Sequence, residues 1–342
     1  MQSIVKRSPI TIAFLTSASI PLTAHANVGV DEILNGVQVY GKLNLSWQVS
    51  DEGDGSFTDM SSNASRFGLK GDVGVNDDLS VIYQLEYEAV IEDGDDTIKN
   101  RNQFVGLHSK TFGTGKIGRH DTMLKMSQGK VDQFNDFEGD LKYMFVGENR
   151  MSETLTYISP SLAGFTLGMT WVATGADNES DSVNGESDSD GFSTALMYGD
   201  SKLNSTPFYA AVAYDDDVNN FDTIRTTAQA RLANLTIGGM WQESERSDGT
   251  GSAQSGWLAS AAYQLTHNVS LRSQYQQSDM HKLEHVDGSR PAVDFKEGYS
   301  VGASYDFSKK TALYAWYTDR TAANSSSKSD SDYFSVGISH SF

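Results

Sequence analysis

The chain has 342 residues, with 38% hydrophobic and 21% charged side chains, 31 Gly, 5 Pro and no Cys. That composition excludes collagen-like, coiled-coil and disulfide-stapled classes, and it removes thiolate metal sites and cysteine nucleophiles. Lys and Arg number 26 against 45 Asp and Glu, a formal charge of −19, which argues against a nucleic-acid partner or an electrostatic hold on an anionic membrane face.

Lys6 and Arg7 precede an uncharged stretch, Ser8 to Ala24, that carries Ile10, Ile12, Phe14 and Leu15; Ala24-His25-Ala26 follows. Basic, apolar and small-x-small in that order read as a secretory signal peptide cleaved after Ala26. The mature chain, 27–342, is then one exported domain, and losing two basic residues takes its charge to −21. Past Ala26 no apolar run approaches the ~18 residues of a spanning helix, so a bilayer crossing has to be made by strands.

Residues 37–50 alternate without a break. Val37, Val39, Gly41, Leu43, Leu45, Trp47 and Val49 fall on one face, and Gln38, Tyr40, Lys42, Asn44, Ser46, Gln48 and Ser50 on the other. A sandwich strand averages about five or six residues, whereas a tilted strand in hydrocarbon needs about 9–11, so the length favours a membrane. The same period of two predicts strands near 63–75, 79–91, 100–110, 114–121, 151–159, 163–174, 191–199, 206–214, 223–233, 234–245, 255–265, 268–278, 297–307, 310–320 and 332–342. With the first, these make sixteen, an even number as an antiparallel barrel requires. In 100–110, 206–214 and 310–320 the two faces are equally apolar, so the pattern there is ambiguous.

The connections alternate between long and short. Long ones are expected near 51–62, 92–99, 122–150, 175–190, 215–222, 246–254, 279–296 and 321–331, and short ones at sites such as Asn76-Asp77-Asp78, Thr111-Phe112-Gly113 and Ser308-Lys309. Outer-membrane barrels sort their loops this way, with short periplasmic turns and longer outside loops. The acidic run from Asp177 to Asp190 has no Lys or Arg and reads as solvated rather than as an ion site.

Two motifs compete with a channel. Gly113-Thr114-Gly115-Lys116-Ile117-Gly118 matches G-x-G-x-x-G, but that fingerprint works only as a strand-to-helix turn, and strand-like sequence comes next here. His281-Lys282-Leu283-Glu284-His285 matches H-x-x-E-H, which needs a helix to set both imidazoles on one face; Gly288 and Pro291 instead mark a loop. No nucleophile, cofactor or metal site is therefore expected.

Tyr333 to Phe342 forms an alternating strand ending on an aromatic, which looks like the assembly signal of Gram-negative outer-membrane barrels. Together with Val39-Tyr40-Gly41-Lys42-Leu43, Ser65 to Gly71, Asn100 to Leu107, Gly118-Arg119 and Tyr157 to Pro160 followed by Gly164-Phe165, it resembles the general-porin family typified by neisserial and comamonad porins. The likeness runs from about residue 37 to Phe342.

The resemblance implies an all-β transmembrane antiparallel barrel of 16 strands, assembled as a homotrimer in the bacterial outer membrane. Its partners would be lipid, lipopolysaccharide, the barrel-assembly machinery and small hydrophilic solutes. It also implies a water-filled pore for ion and solute diffusion, narrowed by the third outside loop folding inward. Here that loop is 122–150, with Asp132, Asp136, Glu138 and Asp140 as its acidic face. Lys42, Arg66, Lys70, Arg101 and Arg119 would form the basic wall opposite, and Phe342 the assembly signal. Alternation independently turns Lys42, Arg66 and Lys70 to the lumen but places Arg119 on the outward face of Ile117. Alternative functions are a nutrient-selective porin, for which Tyr40 alone is too short an aromatic track, and a barrel enzyme or adhesin.

Overall fold

The computed structural model describes residues 36–92, 97–176, 189–249, 251–280, 295–322 and 330–342. The expected leader, most of the Asp177–Asp190 run and the His281–His285 motif lie outside them. Seventeen strand segments succeed one another among the described residues: β1 (Val37–Asp51), β2 (Ser56–Ser62), β3 (Arg66–Gly74), β4 (Leu79–Ala89), β5 (Ile98–Ser109), β6 (Gly113–Asp121), β7 (Arg150–Ile158), β8 (Phe165–Val172), β9 (Gly191–Gly199), β10 (Phe208–Val218), β11 (Phe221–Leu232), β12 (Leu235–Arg246), β13 (Gln254–Gln264), β14 (Val269–Ser278), β15 (Phe295–Ser308), β16 (Thr311–Ala322) and β17 (Ser331–Ser341).

Successive segments pair antiparallel, except that β2 and β3 both pair with β1, and β1 pairs with β17, closing the sheet. Both β2 and β3 lie along β1, β2 against Leu45–Asp51 and β3 against Val37–Lys42. They are two halves of one wall strand interrupted at Asn63-Ala64-Ser65, where Ala64 takes a left-handed φ of 51°. The gap in the ladder is filled locally: the Asn44 N–H donates to Ser65 Oγ, and Asn44 Nδ2 donates to the Asn63 carbonyl, both at 2.9 Å. The wall therefore has sixteen strands. Closure removes every edge that hydrocarbon could not satisfy.

The alternation appears as an inside-out burial pattern. Val39 and Trp47 are each 66% exposed, while Asn44 and Ser50 are at most 1% exposed. Polar groups face the interior and apolar ones face outward, the reverse of a water-soluble sandwich.

Two expected long connections are instead paired strand. The region 51–62 continues as the β1–β2 hairpin, turning at Glu52–Gly55, and 215–222 is the end of the β10–β11 hairpin. There Asn219 and Asn220 both have positive φ, 56° and 65°, as a two-residue primed turn requires. Asp and Ser above the apolar belt hide these extensions from a pattern search. The G-x-G-x-x-G match lies wholly within β6.

At the seam, the Phe342 N–H donates to the Gly41 carbonyl at 3.0 Å, and the Gly41 N–H donates back at 3.3 Å. The Phe342 ring lies over the Gly41 Cα, where any Cβ would collide with it.

Candidate functional site

The chain between β6 and β7 does not leave the barrel wall as a free loop. Thr122 caps a short helix, α1 (Met123–Ser127), through Oγ1, which accepts the Lys125 N–H. Asp140 caps a 3-10 turn, Leu141–Tyr143, through Oδ1, which accepts the Lys142 N–H at 2.8 Å. Around these two turns the segment's apolar side chains pack onto the wall. Met123 and Leu124 meet Ala195 and Ala213; Val131, Leu141, Met144 and Phe145 meet Met240 and Leu258; and Phe134 meets Tyr314 and Trp316. The ambiguous faces of 206–214 and 310–320 now have a cause. Ala213, Tyr314 and Trp316 are inward positions made apolar by the segment that covers them.

Polar contacts trace the segment's path. At its root, the buried Arg225 of β11 donates Nε to Gln242 Oε1 at 2.7 Å and Nη1 to Glu148 Oε1 at 2.8 Å, and it reaches the Leu124 and Val146 carbonyls at 3.4 Å. In its middle, Gln229 and Gln274 accept the N–H groups of Lys130 and Gln133 at 2.9 and 2.8 Å, and Ser260 Oγ donates to the Val131 carbonyl. At its tip, Asp136 Oδ2 lies 2.6 Å from Arg66 Nη2 and 3.3 Å from Lys42 Nζ, and Glu138 Oε2 lies 2.8 Å from Arg320 Nη2. One segment thus touches inward side chains of β1, β3, β11, β13, β14 and β16.

The sequence-derived candidates separate into groups. Lys42, Arg66 and Asp136 converge. Arg101 pairs with Glu86 at 2.7 Å and Glu88 at 2.6 Å, both on β4, rather than with the segment. Lys70 sits 4.9 Å over the Tyr40 ring, toward the short-turn end of β3. Asp132 and Asp140 turn into the segment itself: Asp132 accepts the N–H groups of Phe134 and Leu141, and Asp140 accepts that of Asp136. Glu138 joins Arg320. The outward placement of Arg119 by alternation is corrected. A register shift between Gly118 and His120 inserts a bulge, Gly118 takes a φ of 133°, and Arg119 turns inward at 8% exposure.

Sequence reasoning missed Arg225, Arg320, Glu86 and Glu88 as members of the site. The available signal was charge on the polar face of an alternating strand, present at Arg225 and Glu86 but shared with many other positions. Tyr40 is also joined by further inward aromatics, Tyr314 and Trp316. Arg320 has the rings of Tyr143, Phe295 and Tyr333 at 4.3–4.7 Å, a geometry that suits guanidinium stacking.

Two carboxyls of the segment titrate in opposite directions. Burial opposes the charge of Asp136, but Arg66 and Lys42 outweigh it and hold the group below the usual carboxylate range. Burial raises Asp132, and the neighbouring Asp140 raises it further, well above that range.

The segment lies between two cavities. A space of about 790 Å³ toward the long connections is lined by Glu88, Glu92, Asp121, Asp136, Glu138, Asp140 and Glu148 against Lys99, Arg101, Lys125, Lys142 and Arg150. A space of about 200 Å³ toward the short turns is lined by Lys42, Arg272 and Asp306 with four aromatic rings. Asn135 and Phe137 border both. Among the described residues no group of three His, Asp or Glu is placed to hold a metal ion.

Comparison with known proteins agrees with this architecture. The Gram-negative porin family matches residues 11–325. The chain is 25% identical to the outer membrane porin PhoE of Klebsiella oxytoca over 338 residues, covering 90% of this chain and 92% of that one. It is 26% identical to the major outer membrane protein P.IB of Neisseria meningitidis serogroup B over 354 residues, covering 96% and 98%. Among solved structures, the Salmonella typhi OmpF complex with daunomycin superposes with a TM-score of 0.70 at 19% identity, covering 90% of this chain and 97% of that one.

Proposed function

The chain belongs to the Gram-negative porin family and forms an outer-membrane channel, not an enzyme, for passive diffusion of small solutes; from that premise we propose that residues 122–149 are its constriction and set its selectivity. The observation that carries this reading is the pair of tip contacts, Asp136 to Arg66 and Lys42 and Glu138 to Arg320, which join one segment to β1, β3 and β16.

In this reading an ion passes the tip through a field of already paired charges, because each tip carboxylate is in contact with a wall cation. Paired charges at contact distance present little net field to a third ion, so the tip itself discriminates weakly by sign. The larger cavity, with the already paired Asp136 and Glu138 set aside, is lined by five acidic and five basic groups, so the mouth tips the balance: its long connections are acidic in sequence, with six carboxylates and no Lys or Arg from Asp177 to Asp190. Its field is screened within ~10 Å at 0.1 M ionic strength. The channel should therefore prefer cations weakly at low salt and lose that preference as salt rises.

Reversal potentials of the purified protein in a planar bilayer under a KCl gradient test this. A small cation preference at low salt is expected, and strong anion selectivity would overturn the reading. The same reading includes a homotrimer in contact with lipopolysaccharide, delivered by the barrel-assembly machinery after signal cleavage at Ala26. Unboiled protein should migrate as an SDS-resistant oligomer, and its N-terminal sequence should begin at Asn27.

A further inference from the structure

We propose that the smaller cavity is a binding site for a single-ring aromatic carboxylate, so that the channel retains such solutes rather than merely passing them. The site rests on the division of the lumen proposed above, which ligand-free selectivity tests separately from block by a ligand.

Three features of the cavity specify the ligand. Its volume, about 200 Å³, exceeds the roughly 150 Å³ cavity that accepts benzene in an engineered protein, so one ring with a small substituent fits. Its apolar side is aromatic: Phe137 lies with its ring centroid 5.0 Å from Tyr314 and 5.4 Å from Trp316, tilted at 59° and 52°, and Phe134 completes the lining. Phe134, Tyr314 and Trp316 are buried behind Phe137, so the half-buried Phe137 is the ring whose edge and face a ligand ring would meet. Aliphatic solutes gain nothing comparable.

The third feature is charge. Arg272 lines the cavity and is exposed, and its one hydrogen bond among the described residues is a long one of 3.4 Å to the Gln133 carbonyl. Its planar fork suits bidentate capture of a carboxylate. Lys42 lines the same space but is shared with Asp136, so it contributes less. Asp306 stands in the lining with opposite sign, and it should limit affinity to a level at which a transported solute can still leave. A wall of rings beside a guanidinium has no use for an inorganic anion alone. An uncharged ring would leave the guanidinium idle.

Benzoate, acetate and benzamide, each added on the short-turn side of single channels at low ionic strength, provide the test. Benzoate should produce concentration-dependent interruptions of the current, while acetate and benzamide at equal concentration should not. Arg272→Gln should weaken benzoate block about tenfold, Phe137→Leu should weaken it less, and Asp306→Asn should strengthen it. Arg272→Gln removes a cation from the lumen, so block in this variant is read against its own ligand-free conductance, and Phe137→Leu, which changes no charge, supplies the second reading. Equal block by acetate or by benzamide would overturn the proposal, as would unchanged benzoate block in both Arg272→Gln and Phe137→Leu.

Discussion

The root and the tip of the 122–149 segment are fastened to the same barrel by different chemistry. At the root, Arg225 is fully buried and its bonds to Glu148, Gln242 and two backbone carbonyls are sealed under Leu124 and Val146. At the tip, Lys42, Arg66 and Asp136 side chains remain 13–26% exposed. Water and salt reach the second set far more readily than the first, where only the edge of Glu148 meets the larger cavity. The root is therefore a fixed anchor, whereas the tip is held by forces that the medium can weaken, as the selectivity role proposed for it requires.

The largest expected effect tests the root. Arg225→Met leaves the largely buried Glu148 carboxylate, at the edge of the larger cavity, without its cation, and breaking a buried pair from one side costs up to about 3–5 kcal/mol. Both arms of the segment lose their common partner. Single-channel recordings should show a larger, noisier conductance, and adding Glu148→Gln should restore much of the quiet state. A quiet channel in Arg225→Met alone would mean that apolar packing suffices and that the anchor is misidentified.

Asp136→Asn tests the tip with a smaller effect. It leaves Arg66 and Lys42 without their shared counter-charge while the root still holds the segment. Permeability ratios should move toward anions by about two- to fivefold at low salt, since unit charges at contact interact by about 1 kcal/mol in water. Conductance noise should stay near wild type, in contrast to Arg225→Met.

Acid separates the two carboxyls within the segment. The depressed Asp136 contributes stability that is present above the ordinary carboxylate pKa of about 3.9 and is lost as pH falls through its lower folded value. Asp132 behaves oppositely: its raised folded pKa means that stability falls as pH rises through that value, so mild acid favours the folded segment. Current noise should thus decline slightly on mild acidification, and only in strong acid should the permeability ratio move toward anions, as it does in Asp136→Asn. A shift toward anions beginning near neutrality would contradict the depressed titration of Asp136. The smallest effect is that of neutral salt, which should lower selectivity between about 0.1 and 1 M without altering noise, because screening reaches the tip pairs and not the root.

The wall was legible because a membrane barrel writes its geometry into a period of two: Val39, Leu43 and Trp47 against Asn44, Ser46 and Gln48 settle face and length together. The inward segment was legible only as an unusually long connection. Its contacts could not be read because a bulge at Gly118 reverses the facing of Arg119, and because the partners of Arg225 lie about 80–100 residues away in sequence. The acidic residues looked alike in sequence, yet Asp132 and Asp140 serve their own backbone while Asp136 and Glu138 reach across to wall cations. Only the path of the chain distinguishes a carboxylate that shapes a turn from one that meets an ion.

The contact of Phe342 with Gly41 also bears on the order in which the molecule can be made. Hydrogen bonds across this seam join groups far apart along the chain, such as Gln48 and Ser335, which are 287 residues apart. Every other neighbouring pair in the wall can form soon after its second strand is available, but the outer edge of β1 has no partner until β17 is delivered. Throughout that interval β1 presents a long open row of donors and acceptors, the template on which stray strands add and aggregates begin. The ring of Phe342 fits only against a residue without a side chain, so it can mark when the correct strand has arrived. A substitution such as Gly41→Val should therefore show itself less in the finished channel than in the fraction of chains that finish.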